Sequence, residues 1–116
     1  PKETIAELHN ANRKVICYFS AGSYENWRPD KNQFPESVIG NILDGWEDEK
    51  WLDIRNSTVR EIMKSRLDLA VEKGCDGVEP DNVDGFANNS GFDLTFENQL
   101  DFNIFLANEA HKRNLS

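Results

Sequence analysis

The segment Thr58–Lys73 sets Val59, Ile62, Met63, Leu67, Ala70 and Val71 at helical spacing, Gly74 stops it, and the strand-type run Cys75–Asp81 follows at once. A helix delivered directly into a short strand is part of a parallel βα unit, because a parallel strand needs a crossover that carries the chain back across the sheet. The same order recurs along the chain. Glu3–Arg13 reads as a helix with Ile5, Leu8 and Ala11 on one face, and it leads into Val15–Ser20. Thr95 reads as the N-cap of a helix reaching about Lys112 that buries Leu100, Ile104 and Ala107. Trp51–Arg55 supplies one more strand-type run. The pattern predicts an α/β fold of about three βα units with parallel strands. The longest connection, 21–50, carries Trp27, Trp46 and a short turn begun at Pro35; connections of this length are usually functional or disordered, and its aromatics favour function.

The chain opens on a helix with no strand before it and closes where another strand is due. Three strands with both edges open make a poor self-contained domain. A complete (β/α)8 barrel takes about 250 residues. Residues 1–116 are therefore expected to be one partial domain, less than half of such a barrel.

Composition removes several classes of function. The net charge of −8 argues against nucleic acid as a partner. It suits a cationic partner, and it also serves plain solubility. No run approaches the roughly 20 apolar residues of a membrane span. No charged-then-apolar leader stands at the N-terminus, so any secretion signal is expected to have been removed or to lie upstream. Three Asn-X-Ser/Thr triplets, at Asn56, Asn88 and Asn114, give a weak hint of a secretory protein. His9 and His111 fall on predicted helices away from the strand ends, and no HExxH occurs, so no metal centre is expected. The loop Glu79–Gly85 misses the calcium-loop pattern, because Val83 replaces an oxygen ligand and Asp84 sits where glycine is needed. Neither GxGxxG nor a Walker motif appears, and no cofactor is expected.

Strand parity points to a polar pocket. Alternation sends Cys75, Gly77, Glu79 and Asp81 to one side of their run, with Val78 facing the helices. It sends Asp53 and Arg55 inward from Trp51–Arg55, and Tyr18 and Ser20 inward from Val15–Ser20. Ionisable groups are costly to bury unless paired or used, so this convergence is a functional signal; the structural alternative is an ion-pair network such as Arg55 with Asp53 or Glu79. Asp81, at the C-terminal end of its strand, is the catalytic candidate. Asp84 lies in the following loop, where turn formation competes with function. The same parity puts Cys75 inward and Cys17 outward, which argues against a disulfide between them.

The runs ICYFSAGSYENWRPD, GWEDEKWLDIRN and GCDGVEPDNVDGF, in that order and spacing, resemble glycoside hydrolase family 114, the endo-α-1,4-polygalactosaminidases and their relatives. The most specific stretch is GVEPDNVDG, and the similarity extends through the flanking helices. The resemblance implies a (β/α)8 barrel with Val15–Ser20, Trp51–Arg55 and Cys75–Asp81 as its second, third and fourth strands. It implies hydrolysis of α-1,4-linked galactosamine in a cationic, partly deacetylated polysaccharide by a secreted enzyme. Asp81 matches the nucleophile, and the partner acid/base is a glutamate beyond Ser116. Asp53, Glu79 and Asp84 are then expected to hold the sugar ammonium, and Tyr18 and Tyr24, with Trp27 as a further candidate, to offer faces to sugar rings. The alternative is a catalytically inactive carbohydrate-binding relative of the same barrel.

Overall fold

The computed structural model describes residues 2–116. Its elements, in chain order, are α1 (Lys2–Asn10), β1 (Ile16–Ser20), β2 (Ser23–Glu25), β3 (Ile39–Leu43), β4 (Trp46–Leu52), α2 (Ser57–Lys73), β5 (Gly77–Asp81) and α3 (Phe96–Lys112), with short 3-10 turns at Lys31–Gln33, Glu36–Val38 and Gly85–Ala87.

Helix boundaries follow local chemistry. The Asn56 side chain accepts the backbone N–H groups of Thr58 and Val59 at 2.8 and 3.3 Å and so starts α2. Gly74, at φ 90°, ends it in a left-handed turn that side chains resist. Thr95 and Asn98 form a reciprocal capping box at the start of α3.

β1 and β5 pair in parallel from Ile16↔Gly77 to Ser20↔Asp81. One face of this pair is covered by helices. Phe19 of β1 is buried with Ile5 of α1, Leu67 and Met63 of α2, and Phe102, Leu106 and Ala110 of α3, and Val78 packs against them. At the far edge of β5, Ser116 donates its N–H to the Asp76 carbonyl at 3.1 Å and accepts from the Val78 N–H at 3.0 Å, the bonding of a further parallel neighbour.

Four expectations are corrected here. The run Trp51–Arg55 is not a parallel strand. Trp46–Leu52 forms β4, antiparallel to both β2 and β3, and Asp53–Arg55 lies beyond its end. The segment 21–50 is accordingly no simple loop. A two-residue Asp44–Gly45 turn, with Gly45 at φ 81°, joins β3 to β4, and β2 pairs with the other edge of β4 to complete a three-stranded sheet of order β2-β4-β3.

The third correction concerns α3. Its buried face is Gln99, Phe102, Leu106 and Ala110, while Leu100, Ile104 and Ala107 are exposed. The helix carries two apolar stripes, and the sheet selects the one built on Phe102. Smaller departures of the same kind leave Leu8, Ala11 and Val71 exposed.

Finally, Cys17 and Cys75 form a disulfide, with their Cα atoms 6.0 Å apart. Parity failed because β5 begins at Gly77: Cys75 belongs to the turn after Gly74 and is not bound by the strand's alternation. It approaches Cys17 on the helix-covered side.

Buried Arg66 ties α2 to the segment after β2. Its guanidinium donates to both Asp30 oxygens at 2.8 and 2.9 Å and to the Ser20 carbonyl at 2.8 Å. Those Arg66 hydrogen bonds, acting against the cost of burial, hold the Asp30 carboxyl below the usual carboxylate range.

Candidate active site

The other face of the β1–β5 pair carries no helices. In-register pairing sets Tyr18 beside Glu79 and Ser20 beside Asp81, so these side chains share that open face. Asp81 stands at the C-terminal end of β5, where parallel α/β folds place their chemistry.

The Asp81 carboxylate is held at both oxygens. The Tyr18 hydroxyl donates to Oδ2 at 2.9 Å, and the Asn82 N–H donates to Oδ1 at 2.8 Å. The chain turns sharply just beyond it. Asn82 is left-handed, at φ 58°, a conformation that Asn tolerates better than most residues. Its side chain donates to Ser20 Oγ at 2.8 Å and Ser23 Oγ at 3.2 Å, and the two serine hydroxyls bond to each other. The Asp81 carbonyl accepts from the N–H groups of Ala21 and Gly22. A Cβ at Gly22 would strike the Asn82 carbonyl, so the close approach of these two loops requires glycine there.

A second acidic pair stands behind this turn. Glu25 of β2 and Glu49 of β4 are directly opposed across the antiparallel ladder, and both are buried. Glu25 accepts from Arg28 Nε at 2.8 Å. Burial raises the Glu49 carboxyl above its ordinary range, and the hydrogen bond and charge of Glu25 and the charge of Asp81 push the same way. Glu49 is 7% exposed, so its carboxyl sits in the wall and is not offered to a substrate. Tyr18 is pushed up to about 12, first by burial, then by its hydrogen bond to Asp81 and by the charges of Asp81, Glu25 and Glu49. These long-range effects gather one phenol and three carboxylates into a single electrostatic unit.

The structure divides the residues expected from the sequence. Tyr18, Glu79 and Asp81 share the open face. Asp53 forms a bidentate pair with Arg55, Nε to Oδ1 at 2.8 Å and Nη2 to Oδ2 at 3.2 Å, as in the ion-pair alternative. Tyr24 pairs with Lys50, points away from its buried neighbours Ser23 and Glu25, and packs edge-on to Phe34 with ring centroids 6.1 Å apart. Asp84 precedes the Gly85–Ala87 turn, and its carbonyl accepts from Ala87 and from the Asn88 side chain. Trp27 is exposed. Sequence reasoning missed Asn82, Ser23, Glu25 and Glu49. The Asp44-Gly45 hairpin turn was a readable signal for the β3–β4 pairing only, and the β2–β4 pairing that opposes the glutamates has no such local mark. Among the described residues, no group of three or more histidine, cysteine or acidic side chains is arranged to hold a metal.

A helix-backed parallel pair that presents a clamped carboxylate at its C-terminal end has the layout on which α/β enzymes build their sites. Residues 1–116 match the model of glycoside hydrolase family GH114, and the chain belongs to that family. The crystal structure of Aspergillus fumigatus Ega3 in complex with galactosamine is 62% identical and superposes with a TM-score of 0.97, covering 99% of this chain and 46% of that one. The glycoside hydrolase domain of PelA from Pseudomonas aeruginosa shares the fold at 13% identity, with a TM-score of 0.69 over 97% of this chain and 43% of that one. The chain thus spans about half the length of these structures. A 75-residue stretch is 33% identical to DNA damage-binding protein 1a of Arabidopsis thaliana, covering 65% of this chain and 7% of that protein.

Proposed function

We propose that this chain is part of the catalytic (β/α)8 barrel of a secreted glycoside hydrolase that cleaves α-1,4-linked galactosamine polysaccharide, with Asp81 as its nucleophile. The observation that carries this reading is the Asp81 carboxylate itself, clamped at both oxygens on the open face at the end of a parallel strand. Membership of GH114 supplies the reaction class, and the 62% identical Ega3, solved with galactosamine, supplies the sugar.

In the proposed reaction, one Asp81 oxygen attacks the anomeric carbon as the glycosidic C–O bond breaks, and a glycosyl ester forms. A glutamate beyond Ser116 protonates the departing oxygen and then takes a proton from the water that cleaves the ester. In this reading Glu79, on the same face, attracts the ammonium of galactosamine, and the carboxylates behind Asp81 add to that field. The Cys17–Cys75 disulfide supports secretion, since such bonds persist in oxidising surroundings. No helix of the described residues is long and apolar enough to cross a membrane.

The test is reducing-end release from a partly deacetylated galactosamine polymer by the full-length protein and its Asp81→Asn variant. The variant is expected to lose about 10³-fold or more in kcat while keeping its fold. An equally active variant removes Asp81 from the mechanism. A full-length protein that binds the polymer without cutting it is the inactive carbohydrate binder.

A further inference from the structure

Tyr18 projects from the middle of β1 onto the open face, two residues before the strand ends. The sequence suggests that its ring receives a sugar. The structure gives its hydroxyl a different task, because the phenol O–H is directed at Asp81 Oδ2, 2.9 Å away. The second oxygen of the same carboxylate takes the Asn82 N–H, a donor fixed by the left-handed turn and by the Asn82 bonds to Ser20 and Ser23.

One clamp arm therefore comes from the turn just beyond β5 and the other from the neighbouring strand. A carboxylate on a single χ1–χ2 hinge has rotational freedom that must be removed before it can attack in line. The Asn82 N–H alone leaves rotation about that contact. The Tyr18 contact, made across the parallel register Tyr18↔Glu79 and Ser20↔Asp81, removes it.

We propose that Tyr18 is a positioning residue that fixes the orientation of the Asp81 carboxylate for attack, through a hydrogen bond made across the β1–β5 pair. This inference rests on Asp81 being the nucleophile. The phenol suits the task because it stays protonated: partial burial, the hydrogen bond to Asp81 and the surrounding carboxylates hold its ionisation near 12, so it donates at neutral pH. Half of Tyr18 is exposed, so deleting its hydroxyl opens no buried cavity and the fold survives the change.

The test uses the full-length protein and Tyr18→Phe. Loss of one hydrogen bond to a charged acceptor predicts kcat lower by about 10- to 100-fold with KM near the parent value. A rise in KM with kcat intact overturns the proposal and returns Tyr18 to sugar contact; no change in either constant overturns it as well. A second readout needs no turnover. Tyrosine ionisation, followed at 295 nm after a jump to alkaline pH, is compared between the parent and Tyr18→Phe to isolate the Tyr18 step near 12. In Asp81→Asn that step is expected to move down while the part due to burial stays, because the hydrogen bond to the carboxylate and its charge are gone. A step that stays in place shows that the phenol and Asp81 are not in contact, and the proposal falls. If the full-length protein cuts no galactosamine polymer while the Tyr18 step still shifts, the contact stands and the catalytic reading fails, and the positioning role fails with it.

Discussion

The two faces of the β1–β5 pair are made from alternating residues of the same ten, yet they do unlike work. On one face Phe19 and Val78 lie under three helices, close to the Cys17–Cys75 bond. On the other, Tyr18, Glu79 and Asp81 stand clear of the helices, and the phenol and the aspartate are tied to each other. Alternation separates stability from chemistry at a spacing of one residue. Phe19 and Tyr18 are adjacent in sequence, and substitutions at the two should be read out in different experiments.

Three changes test that separation in the full-length protein. The largest effect is expected from the double replacement Cys17→Ser with Cys75→Ser. The bond spans 58 positions, and releasing so long a loop costs about 4 kcal/mol by the chain-entropy estimate, read as a lower denaturant midpoint. Phe19→Ala comes next, at about 3 kcal/mol from lost burial and a cavity, measured by thermal or denaturant unfolding. Its folded fraction should keep the parent kcat, in contrast to Tyr18→Phe. A large kcat loss in Phe19→Ala at full folding would break the two-face account.

The smallest effect concerns Glu49 and is a change of pH dependence. A carboxyl raised in the folded state contributes stability that is fully present below its ordinary value of 4.5 and is lost as pH rises through the raised value. Glu49→Gln, followed by unfolding midpoints from acid to neutral pH, should flatten that decline and leave the variant the more stable protein at pH 7. A parent and variant whose curves run parallel would show that folding does not raise the Glu49 carboxyl, and its coupling to Glu25 and Asp81 would be wrong.

Much of this was legible in the sequence, and the limits have identifiable causes. Thr95 and Gly74 act on their immediate neighbours, so the start of α3 and the end of α2 could be read locally, while sequence reasoning missed the Asn56 cap of α2. The open face could be read too, because parity within Ile16–Ser20 and Gly77–Asp81 needs only the strand itself. What failed depended on partners distant in sequence. Periodicity found that α3 is apolar but could not choose between the Leu100–Ile104 and Phe102–Leu106 stripes, since the choice is made by the sheet beneath. Extending parity two residues back from Gly77 reversed Cys75 and hid the disulfide. Trp51–Arg55 looked like a buried parallel strand because Leu52 and Ile54 do enter the core. Its antiparallel pairing became readable only through the Asp44-Gly45 turn upstream. The Glu25–Glu49 pair lies on the other edge of β4, where β2 joins across a long connection, and no local turn announces it.

A parallel strand pair has no connecting turn to set its alignment, and a slide of one strand by one residue would put Tyr18 and Asp81 on opposite faces. The Cys17–Cys75 bond supplies the missing index mark. It anchors the start of β5 to β1 at a point well away from Asp81 and on the opposite side of the pair. Loops around the open end can therefore be lengthened or exchanged in an engineered variant without the two strands losing step, so long as the protein is made where thiols oxidise.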